Sequence, residues 1–324
     1  MAEIYHAYSD ESGFPAGQFQ TLAVISGRSE ILDTLRTTLS NKLMNGVKEV
    51  KWEEIRGHRP KTESAIGFLE LAITYAVSRK IRIDVLAWDT HDQRHAIHGR
   101  DDMANLERMY YKNMTHIARC WNNPMWALFP DENSVIDWQE IIGFLNNTRL
   151  QKPHFMSLFQ DGQSMFIQFQ GISQRCSTSE PLVQLADLFA GMAAFCRLKG
   201  EDYVNWERQE KTKQQPSLFE FEEAEDESSK ADRVRFGLIR FFDSQCKKHK
   251  LGVSVHTNCC LWTPNKNNPI NFWNNEPQHE MDKAPIKQPR LYDSELYRLP
   301  STLTSATPSR CTPSEASKSR HPRR

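Results

Sequence analysis

Three groups of acidic residues have the setting that metal-assisted hydrolysis requires. Asp10-Glu11-Ser12-Gly13 follows a β-rich run at residues 3 to 9, and Asp131-Glu132 follows the apolar run 125 to 129. An acid at a strand end is held rigidly while facing a cleft. Asp187 lies inside the apolar stretch from Gln184 to Gly191, where an ionised carboxylate is costly unless it is paired, hydrogen-bonded or coordinated. Clustered carboxylates repel, and divalent cations relieve that repulsion. An all-oxygen donor set with no supporting Cys or His favours Mg²⁺ or Mn²⁺ over zinc. Two such ions about 3.5–4 Å apart clamp the attacking and leaving oxygens of a phosphodiester.

Each acid also has an ordinary reading, as a turn, a helix cap or a solvated charge. Asp84 and Asp89, in and just after another strand-like run, compete with Asp131 for the middle place. Asp131 is preferred because a mid-strand acid such as Asp84 more ordinarily has a structural partner. Lys51 is a candidate for neutralising a carboxylate or contacting phosphate, Ser177 and Ser179 read as caps, and Arg56, His58, Arg59 and Lys61 supply local positive charge. His91, His95 and His98 beside Asp89 and Asp92 read as a polar loop before they read as a metal site. No Gly-x-Ser-x-Gly elbow and no phosphate-cradling Gly-x-x-x-x-Gly-Lys loop occurs in the sequence, which argues against esterase and ATPase chemistry. Trp52, Trp88 and Trp121 could stack on bases, although core packing is the commoner use of tryptophan.

The elements that must position these acids are legible as pattern. Residues 3 to 9 and 19 to 26 are β-rich and joined by a Gly- and Pro-containing turn, which predicts a hairpin. Helical spacing of apolar residues predicts helices over Ser29–Met44, with Ser29 as N-cap, and over Thr62–Ser78. Residues 81 to 88 alternate as a strand, followed by a helix over Met103–Trp121, a strand over Met125–Phe129, a helix over Val135–Leu150, a strand at 164 to 170 and an apolar helix over Glu180–Leu198. A hairpin followed by strand and helix in alternation predicts an α/β fold with a mixed sheet flanked by helices.

The remainder divides by composition: a core over residues 1–200, an acidic mobile insertion over 201–232, a C-terminal helix and an extension rich in Asn, Pro and Trp over 233–281, and a disordered basic tail over 282–324. The helix is expected at Ala231–Lys250, and an ordered coil or a disordered segment at 262 to 279. The chain holds 41 Lys plus Arg and 41 Asp plus Glu. That neutrality is a cancellation, because residues 283 to 324 hold 9 bases and 3 acids while 201 to 232 hold 4 bases and 11 acids. It excludes a uniformly basic coat but not a phosphate-binding surface around an acidic centre. Seven scattered cysteines without zinc spacing suit reduced thiols, and no signal peptide or membrane span is expected, so a cytoplasmic protein is anticipated. Oligomeric state is open.

Tyr8-Ser9-Asp10-Glu11-Ser12-Gly13, Lys51, Asp131-Glu132 and Gln184-Leu-Ala-Asp187-Leu together resemble the domain of unknown function 3800 family, over about residues 4 to 198. The resemblance implies a branch of the ribonuclease H-like (retroviral integrase) superfamily, with a mixed sheet that opens as an antiparallel meander. It further implies that Asp10, Asp131 and Asp187 bind Mg²⁺ or Mn²⁺, with Glu132 as a further ligand and Glu11 as an auxiliary in catalysis. Ser12, Lys51, Arg56 and Arg59 are the expected substrate contacts, and nucleic acid is the expected partner. The expectation is a nuclease hydrolysing DNA or RNA; the alternative is a catalytically silent nucleic-acid or protein-binding module of a mobile-element or phage-defence system.

Overall fold

The structure, a computed structural model, describes residues 3–92, 101–132, 136–150, 165–214, 228–255 and 259–276. The chain divides into two units, Met1–Ile286 and Lys287–Arg324, and all of these residues belong to the first.

Strands β1 (Tyr5–Ser12) and β2 (Phe19–Arg28) form the expected antiparallel hairpin, with Ser12 opposite Thr21. Its turn depends on Gly13, whose φ of +81° and close approach to the Phe19 carbonyl leave no room for a Cβ. Helix α1 (Ser29–Ser40) follows, capped by Arg28 in extended conformation, so Ser29 opens the helix and is not its cap. Then come α2 (Arg59–Val77), β3 (Ile81–Asp89), α3 (Asp102–Trp121), β4 (Met125–Pro130), α4 (Trp138–Asn146), β5 (Gln168–Ile172) and α5 (Pro181–Leu198). Asp101 caps α3 by accepting the Ala104 N–H, and Glu180 caps α5 through the Leu182 N–H.

Two later elements depart from the compositional reading. Residues expected to begin an acidic excursion form α6 (Gly200–Gln214), because Tyr203 and Trp206 bury against Phe236 of α7 (Lys230–Lys248). Residues 215 to 227, the most acidic part of that stretch, lie outside the described residues, as does the basic tail. An ordered coil or a disordered segment was expected at 262 to 279, yet Ile270–Asn274 is strand β6. It pairs with β3, Ile83 opposite Ile270. The Asn and Pro flanks hid a short run, Ile-Asn-Phe-Trp, that is buried on both faces of the sheet. The boundary expected at residue 200 therefore separates parts of one sheet.

The sheet has six strands in the order β5-β4-β1-β2-β3-β6. Only β2 runs antiparallel to its neighbours, so β1, β3, β4, β5 and β6 all end at one edge. Side chains alternate between two apolar layers. Tyr8, Ala23, Ile25, Ile83 and Val85 face a layer built with α1, α2, α5, α6 and α7. Tyr5, Ala7, Leu22, Leu86 and Trp126 face α3 and α4.

Helix α5 is long and apolar enough to cross a membrane by length and composition alone, but 78% of it is buried inside the protein. Ala186, Ala190 and Ala193 let it lie close to the sheet, and the Thr21 hydroxyl donates to the Ala190 carbonyl at 2.8 Å. Its apolar character is that of a core helix.

Candidate active site

Asp10 lies within β1 rather than after it, opposite Ala23 of β2. On its other side β4 runs parallel, with Ser9 opposite Pro130, and the Asp131 N–H donates to the Ser9 carbonyl at 2.9 Å. Asp10 and Asp131 are thus side by side at the carboxyl edge, one residue beyond the last strand pair. They also share a face. Two residues earlier Tyr8 and Phe129 stack at 4.8 Å between ring centroids, and the period of two carries that common orientation to Asp10 and Asp131. Helix α5 covers this face and carries Asp187 over the same edge.

The alternation that puts Asp10 toward α5 puts Glu11 toward α3. There the Tyr110 hydroxyl donates to Glu11 Oε1 at 2.5 Å, with Ser9 Oγ 3.1 Å from the same hydroxyl. Glu11 therefore stands at the right edge with its side chain on the far side of the sheet. Burial lifts its pKa to about 7 despite the hydrogen bond from Tyr110. Glu132 is exposed beside Asp131.

Asp187 and Gln184 are three residues apart and so share one helix face. Gln184 Oε1 accepts the Val50 N–H at 3.1 Å and its Nε2 donates to the Ser177 carbonyl at 2.7 Å. Asp187 Oδ2 accepts the Trp52 N–H at 2.6 Å. The pair fastens the segment around Lys51 and the 3₁₀ turn Ser177–Ser179 to α5. Gly191 completes the seat, because a Cβ there would lie 2.3 Å from the Trp52 ring.

Lys51 is consequently held beside the acids. Its Nζ is 3.3 Å from Glu49 Oε1, and Glu49 also accepts from the Ser177 hydroxyl at 2.5 Å. Burial works against the ammonium, but Glu49, Asp187 and Asp131 outweigh it and raise the Lys51 pKa. Ser12 ends β1 at the hairpin. Arg56 and Arg59, expected as substrate contacts, are turned to their own neighbours: Arg56 Nε donates to the Glu53 carbonyl and Arg59 pairs with Glu63 along α2.

The acids feel one another strongly. Burial, then the charges of Asp187, Glu11 and Asp131, push the Asp10 pKa well above the usual carboxylate range. Burial likewise lifts Asp187 to about 7, against the Trp52 N–H and Lys51. Asp131 is raised by burial, while the N–H groups of Glu132 and Ser177 and the charge of Lys51 oppose the shift. Among the described residues, however, no three His, Cys, Asp or Glu side chains stand close enough together to hold one ion. The three acids are electrostatic neighbours rather than a closed ligand shell.

Asp84 is on the opposite face and fully committed. Arg82 Nη2 is 2.8 Å from its Oδ1, His116 Nε2 is 3.5 Å away, and Asn271 donates at 3.1 Å. Asp89 accepts the His91 N–H at 2.9 Å, while His95 and His98 lie outside the described residues. Sequence pattern did not mark Glu49 or the role of Gln184. Glu49 looks like one more charge in a Lys-rich segment, and only the three-residue spacing of Gln184 and Asp187 hinted at a shared face.

No protein-family model matches the chain. It is 33% identical over 296 residues to "Uncharacterized protein ORF2'" of Methanothermobacter thermautotrophicus, covering 88% of this chain and 99% of that protein. It is 34% identical over 292 residues to "Uncharacterized protein ORF2" of the same organism, covering 88% and 98%. With identity and coverage of this extent, the chain belongs to the family of these ORF2 and ORF2' proteins.

Proposed function

We propose that the protein is a Mg²⁺- or Mn²⁺-dependent nuclease of ribonuclease H-like fold, akin to the domain of unknown function 3800 family, that hydrolyses phosphodiester bonds in DNA or RNA. One observation carries the reading: Asp10, Asp131 and Asp187 come from two adjacent parallel strand ends and one covering helix, and the charges of Asp187 and Asp131 add to burial in raising the Asp10 pKa. Such mutual repulsion is what a bound cation relieves. The oxygen-only donor set suits a hard ion, and the three side chains must draw together to share it. The antiparallel β1-β2-β3 meander followed by β4 beside β1 agrees with the fold the motifs imply.

Divalent cations held there supply positive charge to the attacking water and the leaving oxygen. The chain's own residues do the rest. Asp10 and Asp131, fixed by the sheet, set the floor of the site, and Asp187 closes it from α5. Lys51, held by Glu49 and by the clamp on Val50 and Trp52, presents an ammonium to a substrate phosphate. Glu132 stands beside Asp131 as a further oxygen donor, whereas Glu11 holds the edge of β1 through Tyr110. A cytoplasmic location suits these roles.

The second reading, a catalytically silent binding module of a mobile-element or phage-defence system, is favoured by the absence of a closed three-acid shell among the described residues. Incubation with single- and double-stranded DNA and RNA in Mg²⁺ or Mn²⁺ separates the two. The nuclease reading expects cleavage that Asp10→Asn abolishes, and cleavage of no substrate, or cleavage that survives Asp10→Asn, overturns it.

A further inference from the structure

The apolar layer on the α5 side of the sheet is built over β1, β2, β3 and β6. Among the described residues β4 lends it only Phe129, at its rim, and β5 lends it nothing. The sheet is consequently open on that side along β4 and β5. Met125, Ala127 and Phe129 are half-buried there, and Gln168, Gly171 and Arg175 are exposed. The alternate residues Trp126, Leu128 and Phe169 are buried in the layer of α3 and α4 on the other side.

Two arginines lie over aromatic rings on this open side. Arg175 is opposite Asp131, one strand out from the acids, and its guanidinium sits over the Phe129 ring at 5.0 Å. That ring is held from behind by Tyr8 at 4.8 Å and His6 at 5.0 Å. Gln168, opposite Met125, shares the open side, and so does Phe166 two residues before it. Arg149 is opposite Phe166 on the next segment out, with its guanidinium 5.3 Å from that ring's centroid. Four residue steps along β4, from Phe129 to Met125, and two from Gln168 to Phe166 separate the two rings by about 20 Å. Arg149 and Arg175 are exposed, Phe166 is 37% exposed, and neither arginine forms an ion pair among the described residues. A ring under a guanidinium fixes it without using its N–H groups, which remain for phosphate oxygens, and leaves its outer face as a platform for an unstacked base.

We infer that the open side of β4 and β5 is the track of a single-stranded nucleic acid leading away from the acids, gripped by the Arg175–Phe129 and Arg149–Phe166 pairs. The two unpaired cations select a polyanion. The stacking platforms select a single strand, because a duplex keeps its base faces stacked inside and presents none to them. The inference deepens the nuclease reading by giving the strandedness of its substrate and rests on that reading for its purpose, but strand binding needs neither metal nor cleavage. Fluorescence anisotropy of the full chain in EDTA, over a series of salt concentrations, reads it with labelled oligo(dT) and oligo(U) of about 12 nucleotides and a duplex of the same length. At least one of the two single strands is expected to bind on the order of tenfold tighter than the duplex. Arg149→Gln and Arg175→Gln, both at exposed positions, are each expected to weaken that strand on the order of tenfold and to reduce its salt slope by about 0.7. Arg175→Lys is expected to keep the slope and still weaken binding, since the charge stays and the stack is lost. The bases of residues 283 to 324 add the same background to every variant, so each is read against wild type. A duplex bound as tightly as both single strands, or strand binding unchanged in both glutamine variants, overturns the track. A double glutamine variant that changes sedimentation of the protein but not strand binding gives this side to a second copy of the chain and overturns it too. Strand binding of the expected pattern in a protein that cleaves nothing would leave the track standing and remove the nuclease reading; cleavage undiminished in the double variant would do the reverse.

Discussion

Asp187 on α5 accepts the backbone N–H of Trp52 at 2.6 Å, across 135 residues of sequence. This bond joins the acid that closes the site to the segment that carries Lys51. It also occupies one carboxylate oxygen of Asp187, whose pKa burial raises with the charges of Glu53 and Asp131 adding to it.

The buried acids make the metal-free protein sensitive to alkaline pH. Asp187 is raised to about 7 and Asp10 is raised well above its ordinary value, chiefly by burial. In the folded state these groups bind protons that the unfolded chain releases near pH 4. Their favourable contribution is therefore complete below about pH 4 and is lost as pH rises through the folded values. Asp187→Asn keeps an acceptor for Trp52 and removes the charge. It is expected to raise metal-free stability at pH 8 by about 2 kcal/mol and to leave it little changed at pH 4, as read by urea unfolding. A variant equally stable or less stable at both pH values would contradict the electrostatic account.

The seat of Trp52 is predicted to be unforgiving. A methyl group at Gly191 would meet the indole at 2.3 Å, so Gly191→Ala must displace the ring or α5. The expected cost is about 1–3 kcal/mol, with a shifted tryptophan emission and a loss of cleavage, because Lys51 moves with its neighbour. Unchanged stability and emission would show that the segment is not held as described.

On the opposite face Asp84, Arg82 and His116 form a buried charge cluster whose role is structural. Burial alone would neutralise Asp84, but Arg82 and His116 hold its pKa below the ordinary value. Burial opposes the His116 charge too, yet Asp84 and Cys120 lift it to about 9. Asp84→Ala leaves Arg82 buried and uncompensated, and is expected to cost about 3–5 kcal/mol. The His116 contribution is present in full below about pH 6.5 and declines as pH rises through about 9. Urea unfolding of wild type and His116→Gln from pH 6 to 10 should show that decline in wild type only.

Lys51 is predicted to act on substrate rather than on folding. It is partly exposed and paired with Glu49. Lys51→Met should therefore leave the unfolding midpoint nearly unchanged while reducing kcat/KM about tenfold and flattening its dependence on salt. A large stability loss without a change in salt dependence would reassign Lys51 to structure.

Much of this arrangement was legible because hydrophobic period and turn chemistry are local. The hairpin, β3, β4 and the amphipathic α3 followed from strand-like patterning, helical spacing and the Gly- and Pro-containing turn. The acids at strand ends followed from the same patterns. What was not legible depends on pairing across long sequence distances. Ile270–Asn274 reads as coil until β3 supplies a partner, and Tyr203 and Trp206 read as part of an acidic surface until Phe236 covers them. Glu11 looked equivalent to Asp10, and the two-residue period of β1 alone separates them onto opposite faces. Glu49 gave no signal at all, since its function comes from Lys51 and Ser177 meeting it in space.

The most direct test of the central claim is calorimetric titration of Mn²⁺ into the wild-type protein and into Asp187→Asn at neutral pH. If Asp10, Asp131 and Asp187 share the ion, wild type binds Mn²⁺ with release of protons from the raised carboxyl groups, and the variant binds at least about tenfold more weakly. Wild type that takes up no Mn²⁺, or a variant that binds it equally well, would contradict the account.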